Sequence, residues 1–160
     1  MTEEQLLYDA EDGVVTITFN RPRVMNALLS QTAIDLPSFF ERAAAEPGAR
    51  ALILTGTGGK AFSAGADLSD INPAAMEESW NRMMLHLTRF PMPTIAAIDG
   101  VCAGAGAILA MAADMRLGTP NAKTAFLFTR VGLAGCDMGA CAILPRIIGQ
   151  GRASELLFTG

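Results

Sequence analysis

Two segments rich in small residues are the parts of this chain that could form a catalytic site. They are residues 60–68 (KAFSAGADL) and, about forty positions later, residues 99–107 (DGVCAGAGA). Each contains a small-residue turn after an apolar, strand-like run. Small side chains let a ligand approach the main chain closely, so that backbone N–H groups can bind an oxyanion. Two such turns predict an oxyanion hole with paired backbone donors.

Other familiar sites do not fit the sequence. The glycines at 104–106 continue to Leu109 where a dinucleotide fingerprint needs a third glycine. A phosphate loop ending at Lys60 would need glycine in place of Leu54 and Ser or Thr in place of Ala61. No GxSxG motif is present, and the single histidine, His86, is expected to be an ordinary helix residue.

Length and composition indicate one globular domain over residues 1–160. The chain is 51% hydrophobic with a net charge of −4, and its Lys and Arg residues are scattered, which argues against nucleic-acid binding. No apolar run reaches the roughly 18 residues of a membrane span. The three cysteines, Cys102, Cys136 and Cys141, have no metal-site spacing, so we expect no metal and a reducing, cytoplasmic location.

Hydrophobic patterns and turn residues predict the strands and helices that must position the two turns. Strands are expected at 14–19, 51–55, 94–98, 115–117 and 124–128, and helices at 31–45, 76–90 and 104–113. Ser30 is the expected N-cap of the first helix. The second helix should bury one apolar face: Trp80, Met83, Met84 and Leu87. This alternation predicts one α/β domain.

Four motifs in register resemble those of the enoyl-CoA hydratase/isomerase (crotonase) superfamily. They are NRP at 20–22 with NAL at 26–28, AFSAGADL at 61–68, DGVCAGAG at 99–106 and LPRIIG at 144–149. The resemblance implies a crotonase (ClpP-like) spiral of repeated ββα units that assembles as homotrimers or dimers of trimers. It implies an acyl-CoA substrate, with coenzyme A present only as part of the thioester and no further cofactor. It also implies that a C-terminal helical region of the family pattern is missing from this chain.

The resemblance further implies roles for single residues. The backbone N–H groups of Ala66 and Ala105 match the oxyanion donors of the family, which usually has glycine at the second position. Arg23 and Lys60 could meet phosphates of coenzyme A, or could be solvated surface charges. The positions that match coenzyme A contacts are Arg23, Val24, Ala27, Lys60, Ala64, Asp67, Leu68 and Gly104.

The acid/base residues depart from the hydratase pattern. Ile108 and Arg130 stand where hydratases of this family have two glutamates, so hydration by a glutamate pair is not expected. Asp137 matches an aspartate that dienoyl-CoA isomerases use as acid/base and a dehalogenase branch uses as nucleophile; it could also be the N-cap of a helix from about residue 138. One acid/base would suit allylic isomerisation, retro-aldol or retro-Claisen cleavage, or addition to a modified enoyl-CoA. The alternative is a non-catalytic CoA-ester-binding partner in an oligomer.

Overall fold

Strands and helices alternate along the chain in the computed structural model, which describes residues 4–70, 73–134 and 137–160. The strands are β1 (Leu6–Glu11), β2 (Val14–Phe19), β3 (Ala51–Gly56), β4 (Ala61–Ser63), β5 (Thr94–Ile98), β6 (Val101–Ala103), β7 (Met115–Gly118) and β8 (Lys123–Ala125). The helices are α1 (Ser30–Ala44), α2 (Pro73–Thr88), α3 (Ala105–Ala112), α4 (Ala140–Ile148) and α5 (Gln150–Thr159). Short 3-10 turns lie at Pro22–Val24, Leu127–Val131 and Asp137–Gly139.

A strand-strand-helix unit repeats through the chain. It appears as β3–β4–α2, then as β5–β6–α3, and then as β7–β8 followed by α4. The first strand of each unit joins a five-stranded sheet, ordered β1-β2-β3-β5-β7, and the second joins a three-stranded sheet, ordered β4-β6-β8. All neighbouring pairs are parallel except β1 with β2. The predicted α/β class with repeated ββα units is confirmed.

Three local predictions need correction. Strand β1 is absent from the predicted strands, and it pairs with β2 through a two-residue turn at Asp12 and Gly13. Asp-Gly is a typical hairpin turn, so this signal was present in the sequence. The strand expected at 124–128 ends at Ala125, and the chain continues into the 3-10 turn Leu127–Val131.

The third correction concerns the start of α1, where Leu29 rather than Ser30 occupies the N-cap position. The N–H of Ser30 donates to Asp70 Oδ2 at 2.7 Å, and Ser30 Oγ donates to the Asp70 carbonyl at 2.7 Å. A carboxylate at a helix N-terminus is favourable because it meets unpaired N–H groups and the positive end of the helix dipole. Asp70 therefore caps α1 from forty positions away and ties it to the segment after β4.

The core surrounds α3, a helix whose sequence, AGAILAMA, is apolar on every side. Residues 105–111 are all buried, with α2, α4 and strands of both sheets packed against the helix. Phe19 and Phe62 meet edge to face, with ring centroids 5.3 Å apart, and link the two sheets. The predicted apolar face of α2 is also buried. No helix in the described ranges is long and apolar enough to cross a bilayer.

Asn26 joins the segment after β2 to the loop before β4. Its side chain is buried, and its Oδ1 accepts the Arg21 N–H at 2.9 Å. Its Nδ2 donates to the carbonyls of Thr57, at 3.0 Å, and Ala61, at 2.7 Å. One carboxamide thus satisfies three backbone groups and holds the strand that leads into the first small-residue turn.

We expect Asn26→Asp to destabilise the protein. The carboxylate can still accept the Arg21 N–H but cannot donate to the two carbonyls, and leaving buried groups unpaired costs about 1–3 kcal/mol for each group. Urea unfolding should show a loss of at least about 2 kcal/mol. Asn20→Asp is the matched control, because it removes one exposed donor bond, to the Glu4 carbonyl. Equal losses in the two variants would contradict this role.

Candidate active site

The first turn follows β4 and is held from outside by the segment after β2. The N–H of Leu28 donates to the Gly65 carbonyl at 2.8 Å, and the Leu28 carbonyl accepts the Asp67 N–H at 2.8 Å. These bonds make a parallel bridge between Leu28 and Ala66. Because the bridge uses the groups on either side, the N–H of Ala66 takes part in no hydrogen bond among the described residues.

The second turn follows β6 and leads directly into α3. Gly104 has a positive φ of 50°, and its N–H donates to the Ala125 carbonyl at 3.1 Å. Ala105 is the first residue of α3, so its N–H has no acceptor within the helix, and within the described ranges nothing else accepts it. The helix dipole adds partial positive charge at this point.

The two turns touch each other at Gly65. A Cβ added to Gly65 would lie 2.9 Å from the Ala103 carbonyl oxygen and 3.2 Å from the Ala105 nitrogen. A Cβ added to Gly104 would lie 3.7 Å from the Gly65 Cα. The predicted pair of small-residue turns is therefore brought together, with the N–H groups of Ala66 and Ala105 on adjoining segments.

A second close approach, at Ser63, supports the first turn. Ser63 is fully buried, and its Oγ accepts the Gly65 N–H at 3.1 Å. A Cβ added to Gly106 would lie 2.7 Å from both Cβ and the carbonyl oxygen of Ser63, so only glycine lets α3 come this near. Ser63 is not among the predicted site residues, because no sequence pattern indicates that its hydroxyl binds the turn.

A cavity of about 150 Å³ opens beside the two turns. The turns contribute one wall: Ala64, Gly65, Ala66, Gly104 and Ala105. Large apolar side chains form the other: Leu68, Trp80, Leu127, Phe128, Val131, Leu133 and Met138. Trp80 was predicted only as a core residue, and its helical spacing gave no sign that it would also line a cavity. The arrangement is a small apolar chamber with backbone donors on one side.

No carboxylate lies among the described residues that line this chamber. Ile108 is buried inside α3, and Arg130 is exposed on the turn Leu127–Val131, close to Gly160. Phe128 contributes an apolar ring to the wall. Neither Ile108 nor Arg130 therefore supplies a carboxylate to this chamber.

Asp137 begins the 3-10 turn Asp137–Gly139, and its side chain lies outside the described part of the chain. The next residue, Met138, has a φ of 51° and lines the cavity. The helix expected from about residue 138 starts at Ala140, with Gly139 at the N-cap position. The prediction that Asp137 could cap this helix is therefore wrong, because a turn separates the two.

The carboxylate of Asp67 is bound within the protein. Ser69 donates its hydroxyl to Asp67 Oδ1 at 2.6 Å, and Arg21 donates to Oδ2 at 2.9 Å. These two bonds, first the one from Ser69 and then the one from Arg21, lower the pKa of Asp67 below its usual value. Arg21 also donates to the Ala27 carbonyl at 2.7 Å. Asp67 thereby fixes the end of the first turn against the segment that precedes Leu28.

Of the predicted coenzyme A residues, Ala64, Leu68 and Gly104 line the cavity, and the others do not. The turn Pro22–Val24 contacts the loop before β4, since a Cβ on Gly58 would lie 2.7 Å from Pro22 Cβ. This contact brings together the parts of the chain that carry Arg23 and Lys60, both exposed. Val24 and Leu68 are also exposed, Ala27 and Asp67 are half-buried, and Ala64 and Gly104 line the cavity.

A larger, open cavity of about 660 Å³ lies between α1 and α2, and none of the turn residues lines it. His86 lies on its wall, with Nε2 at 3.1 Å from Glu41 Oε1. Within the described ranges, no group of three His, Cys, Asp or Glu side chains could hold a metal ion. We take the smaller chamber as the candidate active site because, among the described residues, it joins backbone N–H groups without a hydrogen bond to an apolar wall.

Comparison with known sequences gives one consistent family. The profile of the enoyl-CoA hydratase/isomerase family matches residues 9–160. The chain is 35% identical to 1,2-epoxyphenylacetyl-CoA isomerase of Escherichia coli, over 98% of this chain and 63% of that protein. It is 34% identical to crotonyl-CoA hydratase of Syntrophomonas wolfei, over 99% of this chain and 63% of that protein. The chain thus spans less than two thirds of the length of these relatives.

A solved structure gives the same answer for the fold. The crystal structure of enoyl-CoA hydratase from Bacillus anthracis superposes with a TM-score of 0.90 at 34% identity. The match covers 98% of this chain and 63% of that one. The expected crotonase architecture is confirmed for the part of the family fold that this chain spans.

We expect Gly65→Ala to destabilise the protein more than Gly48→Ala. Both glycines have positive φ, 101° and 77°, where alanine is strained by about 1–2 kcal/mol in a left-handed conformation. Nothing lies within 4 Å of a Cβ on Gly48, whereas one on Gly65 would press on the second turn. Urea unfolding should show an additional loss of about 1–3 kcal/mol for Gly65→Ala. Matching losses would mean that the turns do not touch.

Proposed function

Because this chain belongs to the enoyl-CoA hydratase/isomerase family, we propose that it converts an acyl-CoA thioester through an enolate bound by the N–H groups of Ala66 and Ala105. One observation carries the proposal: two N–H groups, neither of which donates a hydrogen bond to any described residue, stand on touching turns beside one apolar cavity. An enzyme is favoured over a non-catalytic CoA-ester binder because this arrangement is the one needed to bind developing negative charge.

The proposed oxyanion hole acts on the step that creates the enolate. When a proton leaves the acyl chain, its bonding electrons move onto the thioester oxygen, which gains negative charge. Two fixed N–H donors bind that charged oxygen more strongly than the neutral carbonyl, so they lower the barrier. Removing one such donor typically costs about 2.7–4 kcal/mol. The dipole of α3 adds to the effect at Ala105.

We assign the role of acid/base to Asp137. Its backbone adjoins Met138 on the cavity wall, and Gly139 occupies the N-cap position of the helix that follows. In the proposed reaction the Asp137 carboxylate takes a proton from one carbon of the acyl chain and returns it to another. This is an allylic isomerisation, and it balances without any co-reactant.

The residues present favour isomerisation or carbon–carbon cleavage over hydration. In the family pattern hydration uses two glutamates, and Ile108 and Arg130 take those positions here. A buried isoleucine and an exposed arginine cannot activate water as carboxylates do. A single carboxylate can still move one proton within the acyl chain. The relatives include a protein named as an isomerase and one named as a hydratase, which agrees with a shared enolate step.

In the same proposal coenzyme A lies along the surface next to the cavity mouth. Arg23 and Lys60 offer positive charge to its phosphates. The other proposed contacts, partly through the main chain, are Val24, Ala27, Ala64, Asp67, Leu68 and Gly104. Since Asp67 already binds Arg21 and Ser69 through its carboxylate, we assign its contact with the ligand to its backbone. Assembly as homotrimers or dimers of trimers and a cytoplasmic location complete the proposal.

We expect Asp137→Asn to abolish chemistry while leaving binding intact. The amide cannot take a proton, and positioned acid/base groups typically contribute 10²- to 10⁴-fold in rate, so conversion should fall about 100-fold or more. The measurement is incubation with a panel of enoyl-CoA thioesters in deuterated water, followed by mass spectrometry for turnover and for deuterium uptake. Asp9→Asn, an exposed aspartate on β1, is the control and should behave as the parent protein.

Three results would count against parts of this account. Unchanged deuterium uptake in Asp137→Asn would remove the residue from the acid/base role. Tight binding of all thioesters with neither turnover nor uptake by the parent protein would support the non-catalytic alternative. Accumulation of a hydrated product would contradict the preference for isomerisation.

A further inference from the structure

The guanidinium of Arg21 binds two segments of the chain through a single nitrogen. Its Nη1 donates to the Ala27 carbonyl at 2.7 Å and to Asp67 Oδ2 at 2.9 Å. The side chains of Arg21 and Asp67 are 24% and 17% exposed, so the contact is largely shielded from solvent. Bonds from a charged donor are shorter and stronger than bonds between neutral groups. Arg21 thus places a fixed positive charge against the carbonyl of Ala27.

Two peptide groups connect this charge to the proposed oxyanion hole. The peptide group that joins Ala27 to Leu28 receives the Arg21 bond on its carbonyl, and its N–H donates to the Gly65 carbonyl at 2.8 Å. The Gly65 carbonyl belongs to the same peptide group as the N–H of Ala66. A line of hydrogen bonds therefore runs from the guanidinium, through two peptide groups, to the N–H that would bind the thioester oxygen.

The first consequence concerns the direction of this N–H. A trans peptide group is planar, and its N–H and C=O point to opposite sides. Because Leu28 binds the Gly65 carbonyl, the N–H of Ala66 points away from the segment after β2. The next residue, Asp67, donates its own N–H to the Leu28 carbonyl at 2.8 Å, and its carboxylate binds Arg21. The peptide group of Ala66 cannot rotate without breaking bonds of this set.

The second consequence concerns the strength of the same donor. Hydrogen bonds in a chain polarise one another, and the effect is larger where the local dielectric is low. The cation on the Ala27 carbonyl draws electron density from the N–H of Leu28, which becomes a stronger donor to Gly65. The same change then passes along the next peptide group to the N–H of Ala66. A stronger donor binds a charged oxygen better than a neutral one, which is the difference that lowers a barrier.

We propose that Arg21 is a positioning residue for the oxyanion hole, which orients and polarises the N–H of Ala66 through the peptide groups that follow Ala27 and Gly65. This inference rests on the proposed function, because it concerns a donor that would bind the enolate. Arg21 does not line the cavity, so it acts without touching the substrate. A purely structural arginine would contribute its bonds, whereas this one also contributes its charge.

Charged and neutral substitutions at position 21 separate these contributions. Arg21→Lys keeps a positive charge, and Arg21→Gln keeps an N–H donor without the charge. The readout is the infrared band of the thioester carbonyl in bound butanoyl-CoA that is labelled there with ¹³C, at saturating ligand, so that only folded, occupied molecules contribute. The parent protein should lower this frequency below its value in solution. Arg21→Gln should move the band back toward the solution value, and Arg21→Lys should keep more of the parent's shift.

The rate of deuterium uptake by a saturating thioester should follow the carbonyl band. Removing one oxyanion donor altogether costs about 10²- to 10³-fold in kcat, so weakening a donor should cost about tenfold. We therefore expect uptake to fall about tenfold in Arg21→Gln, with a smaller change in KM. A loss of stability alone would lower the amount of folded protein and would not move the carbonyl band.

A second readout needs no ligand. In a ¹⁵N-labelled sample the amide proton of Leu28 reports the middle bond of the series, because a stronger hydrogen bond moves an amide proton downfield. Arg21→Gln should move this resonance upfield, and Arg21→Lys should move it less. Arg21→Met is a second neutral variant that carries the test if urea unfolding shows that Arg21→Gln does not fold.

Arg50→Met is the matched control, because Arg50 also donates to a backbone carbonyl, that of Asp12, at 2.9 Å, at the turn between β1 and β2. It should leave the carbonyl band, the uptake rate and the Leu28 resonance unchanged. The inference is overturned if a folded neutral variant keeps the parent's carbonyl band, or if Arg21→Lys loses as much of the shift as the neutral variant. If the parent protein itself does not shift the band, the proposed function fails, and the inference fails with it.

Discussion

The contact between two backbone turns at Gly65 is the constraint on which the rest of the site depends. β4 and β6 are parallel neighbours in the small sheet, so their carboxyl ends reach the same edge and the turns that follow must meet there. They meet closely because position 65 has no side chain, and α3 can start at that point because Gly106 lets it lie against Ser63. The topology thus brings the backbone N–H groups of Ala66 and Ala105 to adjoining segments.

Contacts from outside the small sheet keep these turns fixed. The segment after β2 is hydrogen-bonded to the first turn at Leu28. The side chains of Asn26 and Arg21 fix that segment through hydrogen bonds to Ala61 and Asp67. Two carboxylates near the site bind groups of the protein itself. Asp67 binds Arg21 and Ser69, and Asp70, which follows the first turn, caps α1. Rigid support of this kind is what a backbone oxyanion site needs, because misplacement by about 1 Å weakens it.

The sequence predicted those features that depend on local residue types. Runs of β-branched residues marked β2 and β3, and small residues marked both turns. Features set by contacts distant in sequence were missed or wrong. Ser30 has a side chain suited to an N-cap, but the carboxylate of Asp70 accepts the N–H at the start of the helix instead. Asp137 was expected at a helix start, and an intervening turn moves that start to Ala140. The spacing of Trp80 indicates only a position on the buried apolar face of its helix. Its place beside the two turns depends on how the helix packs in the folded chain.

The most direct test of the central claim is the infrared spectrum of a bound saturated acyl-CoA whose thioester carbonyl is labelled with ¹³C. Two aligned donors in a largely apolar site polarise the carbonyl more than water does, because hydrogen bonds are stronger at low local dielectric. The account predicts a carbonyl band at lower frequency in the complex than in free solution. A band at the solution frequency or above it, with the ligand saturating the protein, would show that Ala66 and Ala105 do not bind the thioester oxygen.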